Sequence, residues 1–165
     1  FFVEVIGGAA FIGCGIRYGC GSLGLLSMRG TVMLIYFGIL LVAALIDWDT
    51  QIIYDRFHIM ILILAVFDFL LYPERGIVTR LIGALIISVP MLILALVIPG
   101  AFGGGDIKLM AACGFFLGLE KGFLAAVTGL ALAVLVQGAF LRNRNVPFAL
   151  IPYLAAGCLA ANFIK

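Results

Sequence analysis

The chain has 165 residues, 65% of them apolar and only 11% charged, with ten Lys/Arg against eight Asp/Glu for a net charge of +2. An ordinary soluble domain carries roughly 45–50% apolar and about 25% charged residues, so the charges here are too few to cover such an interior against water. That excludes an ordinary soluble protein, and the small net charge gives no basis for nucleic acid as a partner.

A mean hydropathy of +1.31 and 21 glycines point to membrane helices, where glycine is more frequent than in soluble ones. At about 20 residues per span, the length admits roughly six or seven transmembrane helices and little besides. Phe1 stands where a nascent chain has Met, as in a fragment or a processed chain. No basic stretch precedes the first apolar run, as a signal peptide requires.

In chain order, the first apolar run covers residues 1–16 and is interrupted by Glu4. A Gly/Ser-rich loop with Arg17 and Arg29 follows, then a second run over 31–46 that ends abruptly at Asp47. The polar segment 47–58 holds Asp47, Asp49, Asp55, Arg56 and His58. A third run, 59–72, carries Asp68 near its end and gives way to a turn at Pro73, Glu74, Arg75 and Gly76. The fourth, 81–98, contains Pro90 and stops at Pro99 and Gly100. After Gly103, Gly104, Gly105 and Asp106 a short helix is expected over 107–119, with Asp106 as its N-cap. Glu120 and Lys121 read as a tight turn, followed by runs over 122–141 and 148–164. Lipid offers backbone polar groups no partner, so every span must be helical. The reading is an all-α, polytopic membrane helix bundle forming one domain over 1–165, without internal repeats.

Cys14, Cys20, Cys113 and Cys158 form no CxxC pair and read as small buried hydrophobes. No metal site is expected.

With helices alternating in direction, one side of the membrane receives Arg56, Lys108, Arg142 and Arg144, the other Arg17, Arg29, Arg75, Arg80, Lys121 and Lys165. The split is too even for the positive-inside rule to set orientation. The carboxylates are more telling: Asp47, Asp49 and Asp55 fall on the same side as Asp106. Ionisable groups at membrane level are costly and are functional candidates by default. Two acids brought close share one proton, so that the ionised partner activates water while the protonated one polarises a carbonyl. The three glycines before Asp106 permit positive φ and the close approach of another backbone, such as an extended substrate. A helix N-terminus favours a carboxylate and a C-terminus disfavours it. On that basis Asp106 is expected to ionise more readily and Asp47 to hold the proton.

The same residues have plainer readings. Gly-Gly-Gly-Asp alone is a loop and a helix cap, and Asp47, Asp49 and Asp55 alone are a solvated loop. Asp68 and Glu4 read as structural, His58 as an interfacial side chain, Lys108 as a snorkelling lysine, and Arg142 to Asn145 as a topology anchor.

At these residues the chain resembles a known family. The segment Ile46-Asp-Trp-Asp-Thr-Gln-Ile-Ile-Tyr-Asp55 resembles the first signature of the type IV prepilin leader peptidases, with Tyr54 where the family usually has Pro. The segment Gly103-Gly-Gly-Asp-Ile-Lys-Leu-Met-Ala-Ala-Cys-Gly114 is similar to the GxGD motif of this group of membrane aspartic proteases. Phe2-Val-Glu-Val resembles the opening of one family span, and Val146-Pro-Phe-Ala-Leu-Ile-Pro-Tyr-Leu-Ala-Ala-Gly157 a later family segment. The matches stand in family order and cover nearly the whole chain.

The resemblance implies a multi-pass aspartic endopeptidase of the plasma (inner) membrane that needs no cofactor. It would remove the short basic leader of prepilins or pseudopilins after a Gly, at the cytoplasmic face. The catalytic pair carries over onto Asp47 and Asp106, with Gly103, Gly104, Gly105, Lys108, Asp49 and Asp55 as motif-supporting or substrate-binding residues. The acid-rich 47–55 loop and anionic lipid would meet the basic leader. Nothing in the sequence resembles the family's cytoplasmic region with two CxxC pairs, so the resemblance does not extend to N-methyltransferase activity. Another GxGD-type protease, archaellin-type or presenilin-like, is the nearest alternative. A small proton- or cation-coupled transporter needs acids deep within spans and repeated halves, and an inactive assembly factor would not need both Asp47 and Asp106.

Overall fold

The computed structural model describes residues 8, 12–13, 28–74, 76–98, 102–140 and 149–163. Among them are six helices and no strand: α1 (Met28–Thr50), α2 (Asp55–Leu71), α3 (Ile77–Val97), α4 (Gly104–Leu117), α5 (Leu119–Phe140) and α6 (Ile151–Phe163). Three are long and apolar enough to cross a membrane, namely α1, α3 and residues 119–136 of α5. The expected first span with Glu4, the segment 141–148 with the Arg142–Asn145 anchor, and both Cys14 and Cys20 lie outside the described residues.

The helices start and stop differently from the apolar runs. Helix α1 continues through Asp47 to Thr50, so Asp47 lies inside its last turn rather than after it. Helix α2 begins at Asp55, four residues before its apolar run, and α3 begins at Ile77 rather than at 81. Helix α4 starts at Gly104 and ends at Leu117, where Gly118 adopts φ 79° and α5 follows directly. Glu120 and Lys121 are therefore in the first turn of α5 and not in a turn between helices.

The short α4, about 21 Å long at 1.5 Å per residue, is the centre of the bundle. Helices α2, α3 and α5 pack around it, and α1 and α6 complete the ring by packing on each other and on α2 and α5 respectively. Leu109 and Phe116 of α4 are fully buried, as are Tyr36 and Met33 of α1, Ile61 of α2 and Leu154 of α6. The Tyr36 and Phe116 rings stack with centroids 4.2 Å apart, joining α1 to α4. The outward faces are apolar in turn: Leu70, Leu96 and Val134 are each at least 70% exposed. Such a surface suits a lipid environment.

Small residues bring the backbones close where α3, α4 and α5 meet. A Cβ on Gly83 would stand 2.6 Å from the Gly118 carbonyl carbon, and one on Gly114 would be 2.3 Å from the Gly83 carbonyl oxygen. Small residues at helix crossings are how membrane helices gain van der Waals contact without a hydrophobic drive from water. Because α4 ends inside the bundle, its last carbonyls need a donor. Arg80, fully buried on α3, donates from Nη1 to the Phe116 carbonyl at 3.5 Å and the Ala65 carbonyl at 3.4 Å, and from Nη2 to Asp68 Oδ2 at 2.7 Å. Asp68, buried on α2, is thus structural, as its sequence position suggested.

Candidate active site

The end of the bundle opposite Arg80 gathers the C-terminus of α1 and the N-termini of α2, α4 and α6. Thr50 donates its hydroxyl back to the Ile46 carbonyl at 2.8 Å, and Gln51 N–H donates to the Asp47 carbonyl at 2.9 Å. Gln51 has φ 53°, the only non-glycine positive φ among the described residues. This left-handed residue, about 1–2 kcal/mol unfavourable for a side chain with a Cβ, turns the chain sharply out of α1 and into the 52–54 segment. Ile53 of that segment passes over α4: a Cβ on Gly105 would meet the Ile53 side chain at 3.0 Å.

Of the two roles expected of the three glycines, positive φ is not used. Among the described residues only Gly118 is a glycine with positive φ. Gly103 has φ −72° and ψ 145°, ordinary extended backbone, and precedes the helix as its N-cap. Gly105 makes room for Ile53, and Gly104 faces open space. Asp106 is not the N-cap but the third residue of α4; its Oδ2 accepts the Gly103 N–H at 3.2 Å. The signal for this was present, since a Gly-x-x-Asp spacing lets the carboxylate reach back to the N-cap amide.

Asp47 is 4% exposed and its Oδ2 accepts the Ile151 N–H at 3.0 Å. That donor is the first residue of α6, so the carboxylate sits at a helix N-terminus, where negative charge is favoured. Helix α6 is held there by a backbone-close crossing with α5: a Cβ on Gly157 would fall 2.3 Å from the Ala125 carbonyl oxygen and 2.6 Å from the Gly129 nitrogen. Asp106 is half-buried, and burial, followed by the nearby charge of Asp47, pushes its pKa up to about 6. The two acids thus interact electrostatically. At Asp47 burial opposes the charge and the N-terminus of α6 supports it, while at Asp106 burial and the neighbouring charge oppose it and the Gly103 N–H supports it.

The remaining residues divide. Asp55, the first residue of α2, is exposed and accepts from Lys108 Nζ at 3.0 Å; the lysine holds its carboxyl below the usual carboxylate range. Lys108 is therefore ion-paired. His58 is buried, not interfacial, with Nδ1 3.4 Å from Asp55 Oδ1. Asp49 is exposed on the last turn of α1. Cys113 and Cys158 are buried free thiols, and no group of three His, Cys, Asp or Glu suited to a metal occurs among the described residues. Sequence reasoning missed Ile151, because its contribution is a backbone N–H.

The chain is 29% identical over 164 residues to the prepilin leader peptidase/N-methyltransferase of Bacillus subtilis (strain 168), an alignment covering 96% of the chain and 63% of that relative. The chain thus spans somewhat under two thirds of the relative's length. No solved structure gives a significant match. The profile of the type IV leader peptidase family matches residues 34–164, a stretch that includes Asp47, Asp106 and Ile151. The chain belongs to the type IV leader peptidase family.

Proposed function

We propose that the protein is a membrane aspartic endopeptidase that removes the leader of type IV prepilins or pseudopilins after a Gly. The observation that carries the reading is the placement of two buried or half-buried carboxylates, Asp47 and Asp106, at one end of the bundle with Asp47's charge acting on Asp106. In the reaction, water bound between them attacks the scissile carbonyl. Asp47, its charge supported by the Ile151 N–H, takes the proton from water, and protonated Asp106 donates to the carbonyl oxygen. The roles exchange as the tetrahedral intermediate collapses and the leaving amine is protonated. The two acids titrate as a pair, so its apparent pKa values belong to both.

Open space at Gly104 leaves the α4 backbone accessible beside Asp106, where an extended leader–mature junction can lie. Exposed Asp49 stands where the basic leader approaches, while the Asp55 carboxylate is occupied by Lys108. The substrate's apolar segment stays in the membrane alongside the bundle, and the site faces the cytoplasm.

The test is incubation of the chain, in vesicles, with a prepilin-like substrate and mass spectrometry of the products. Cleavage after the leader Gly, abolished when that Gly is replaced by a bulky residue, is expected. Intact substrate, or cuts at other bonds, would overturn the assignment.

A further inference from the structure

The Asp55–Lys108 pair has a place in the structure that stability does not explain. Its partners are 53 residues apart and their side chains are 70% and 63% exposed. An ion pair so open to solvent adds little to folding. Yet it joins the first residue of α2 to the first turns of α4, two positions after Asp106. On the other side of Asp55, buried His58 brings Nδ1 to 3.4 Å of the same Oδ1, and the Gly105 backbone also faces the imidazole. Neither ring nitrogen completes a well-formed hydrogen bond. The ring therefore fills the space between Asp55 and Gly105 without fixing either tightly, which leaves the lysine as the better-formed polar tie between α2 and α4 at this end. Ile53, lying over Gly105, adds an apolar contact to the same junction. The start of α4 is thus tied to α2 by this ion pair and the Ile53 contact, in addition to the core packing of Ile107 and Leu109, and Asp106 moves with it.

Resting on the two-aspartate reading, we propose that Asp55 and Lys108 are positioning residues. By tying the start of α4 to the start of α2, they set where Asp106 stands relative to Asp47. Neither need touch substrate. A displacement of about 1 Å at a reacting group costs on the order of a hundredfold in rate, so a weak tie can matter to catalysis while mattering little to folding.

The test is a double-mutant cycle on the full chain in vesicles with the prepilin-like substrate: wild type, Asp55→Ala, Lys108→Met and both together. Each single variant is expected to lose about ten- to a hundredfold in kcat with KM little changed, and the double variant to be no worse than either single. Thermal midpoints should stay within about 3 °C of wild type, and Lys108→Arg should restore most of the rate. Unchanged kcat in the singles would overturn the proposal. So would losses that multiply in the double variant, because Lys108 and Asp55 would then act independently, as direct substrate contacts do. Asp106→Asn, run alongside, separates the two levels of argument: if it is inactive while the pair variants are fully active, only the positioning role fails. If Asp106→Asn is itself active, the two-aspartate reading fails.

Discussion

Replacing Arg80 by Met removes the partner of a carboxylate that has almost no access to solvent. Arg80 is fully buried, Asp68 is 2% exposed, and the two meet at 2.7 Å. Breaking a buried pair from one side costs about 3–5 kcal/mol, because the surviving charge is left uncompensated. Arg80→Met and Asp68→Leu should each therefore lower the folded-to-unfolded ratio by roughly a hundredfold or more, at 1.4 kcal/mol per tenfold. The pair is also incompletely satisfied: Asp68 Oδ1 and Arg80 Nε have no hydrogen-bond partner among the described residues. Removing both charges relieves those groups as well as the ion pair's desolvation. The double variant Arg80→Met/Asp68→Leu should thus recover to within about 1–2 kcal/mol of wild type, the remainder reflecting the lost donor to the Phe116 and Ala65 carbonyls. Equilibrium unfolding in mixed micelles, followed by circular dichroism, measures all four proteins. A double variant as unstable as the sum of the singles would refute the reasoning, since no uncompensated charge would then explain the loss.

Other perturbations test other parts of the structure. Gly157→Ala forces a Cβ against the Ala125 carbonyl and the Gly129 nitrogen; it should cost about 1–3 kcal/mol and reduce cleavage more than an exposed change such as Glu120→Gln, because α6 carries the Ile151 N–H. Asp106, with its pKa pushed up to about 6, binds its proton more tightly folded than unfolded. Its contribution to stability is therefore present below about pH 4 and is lost as pH rises towards 6 and beyond. Asp106→Asn should then be more stable than wild type at pH 8, by about 1–2 kcal/mol after discounting for solvent screening at a half-buried site, with the advantage gone at pH 4; thermal melts across that range decide it. For the same reason kcat/KM of the wild type should decline as pH rises above about 6.

The all-α bundle was legible because apolar runs separated by polar clusters leave the backbone no alternative in lipid. The grouping of Asp47, Asp55 and Asp106 at one end followed from alternating helix direction alone. Helix limits were less legible, and for a definite reason. Hydropathy marks where lipid ends, whereas a helix continues as long as its i to i−4 hydrogen bonds are favourable. Asp47 to Thr50 and Asp55 to His58 are polar residues that remain helical beyond the apolar stretch. The surroundings of Asp47 were hidden for a related reason. Asp47 is near the end of its own helix, but the field it receives comes from Ile151, 104 positions later. A backbone amide delivered by tertiary packing carries no side-chain signature. The Arg80–Asp68 pair was equally hidden, since neither its partners nor their burial can be read before α2, α3 and α4 are assembled.

The two-aspartate mechanism stands or falls on the cleavage rates of Asp47→Asn and Asp106→Asn in protein shown to be folded by circular dichroism, with Glu120→Gln as the control. Both substitutions keep the shape of the side chain and its capacity to accept a hydrogen bond, while removing the ionisable proton. Each is expected to abolish prepilin cleavage while the control retains it. A folded Asp47→Asn or Asp106→Asn variant that cleaves at the wild-type rate would contradict that mechanism.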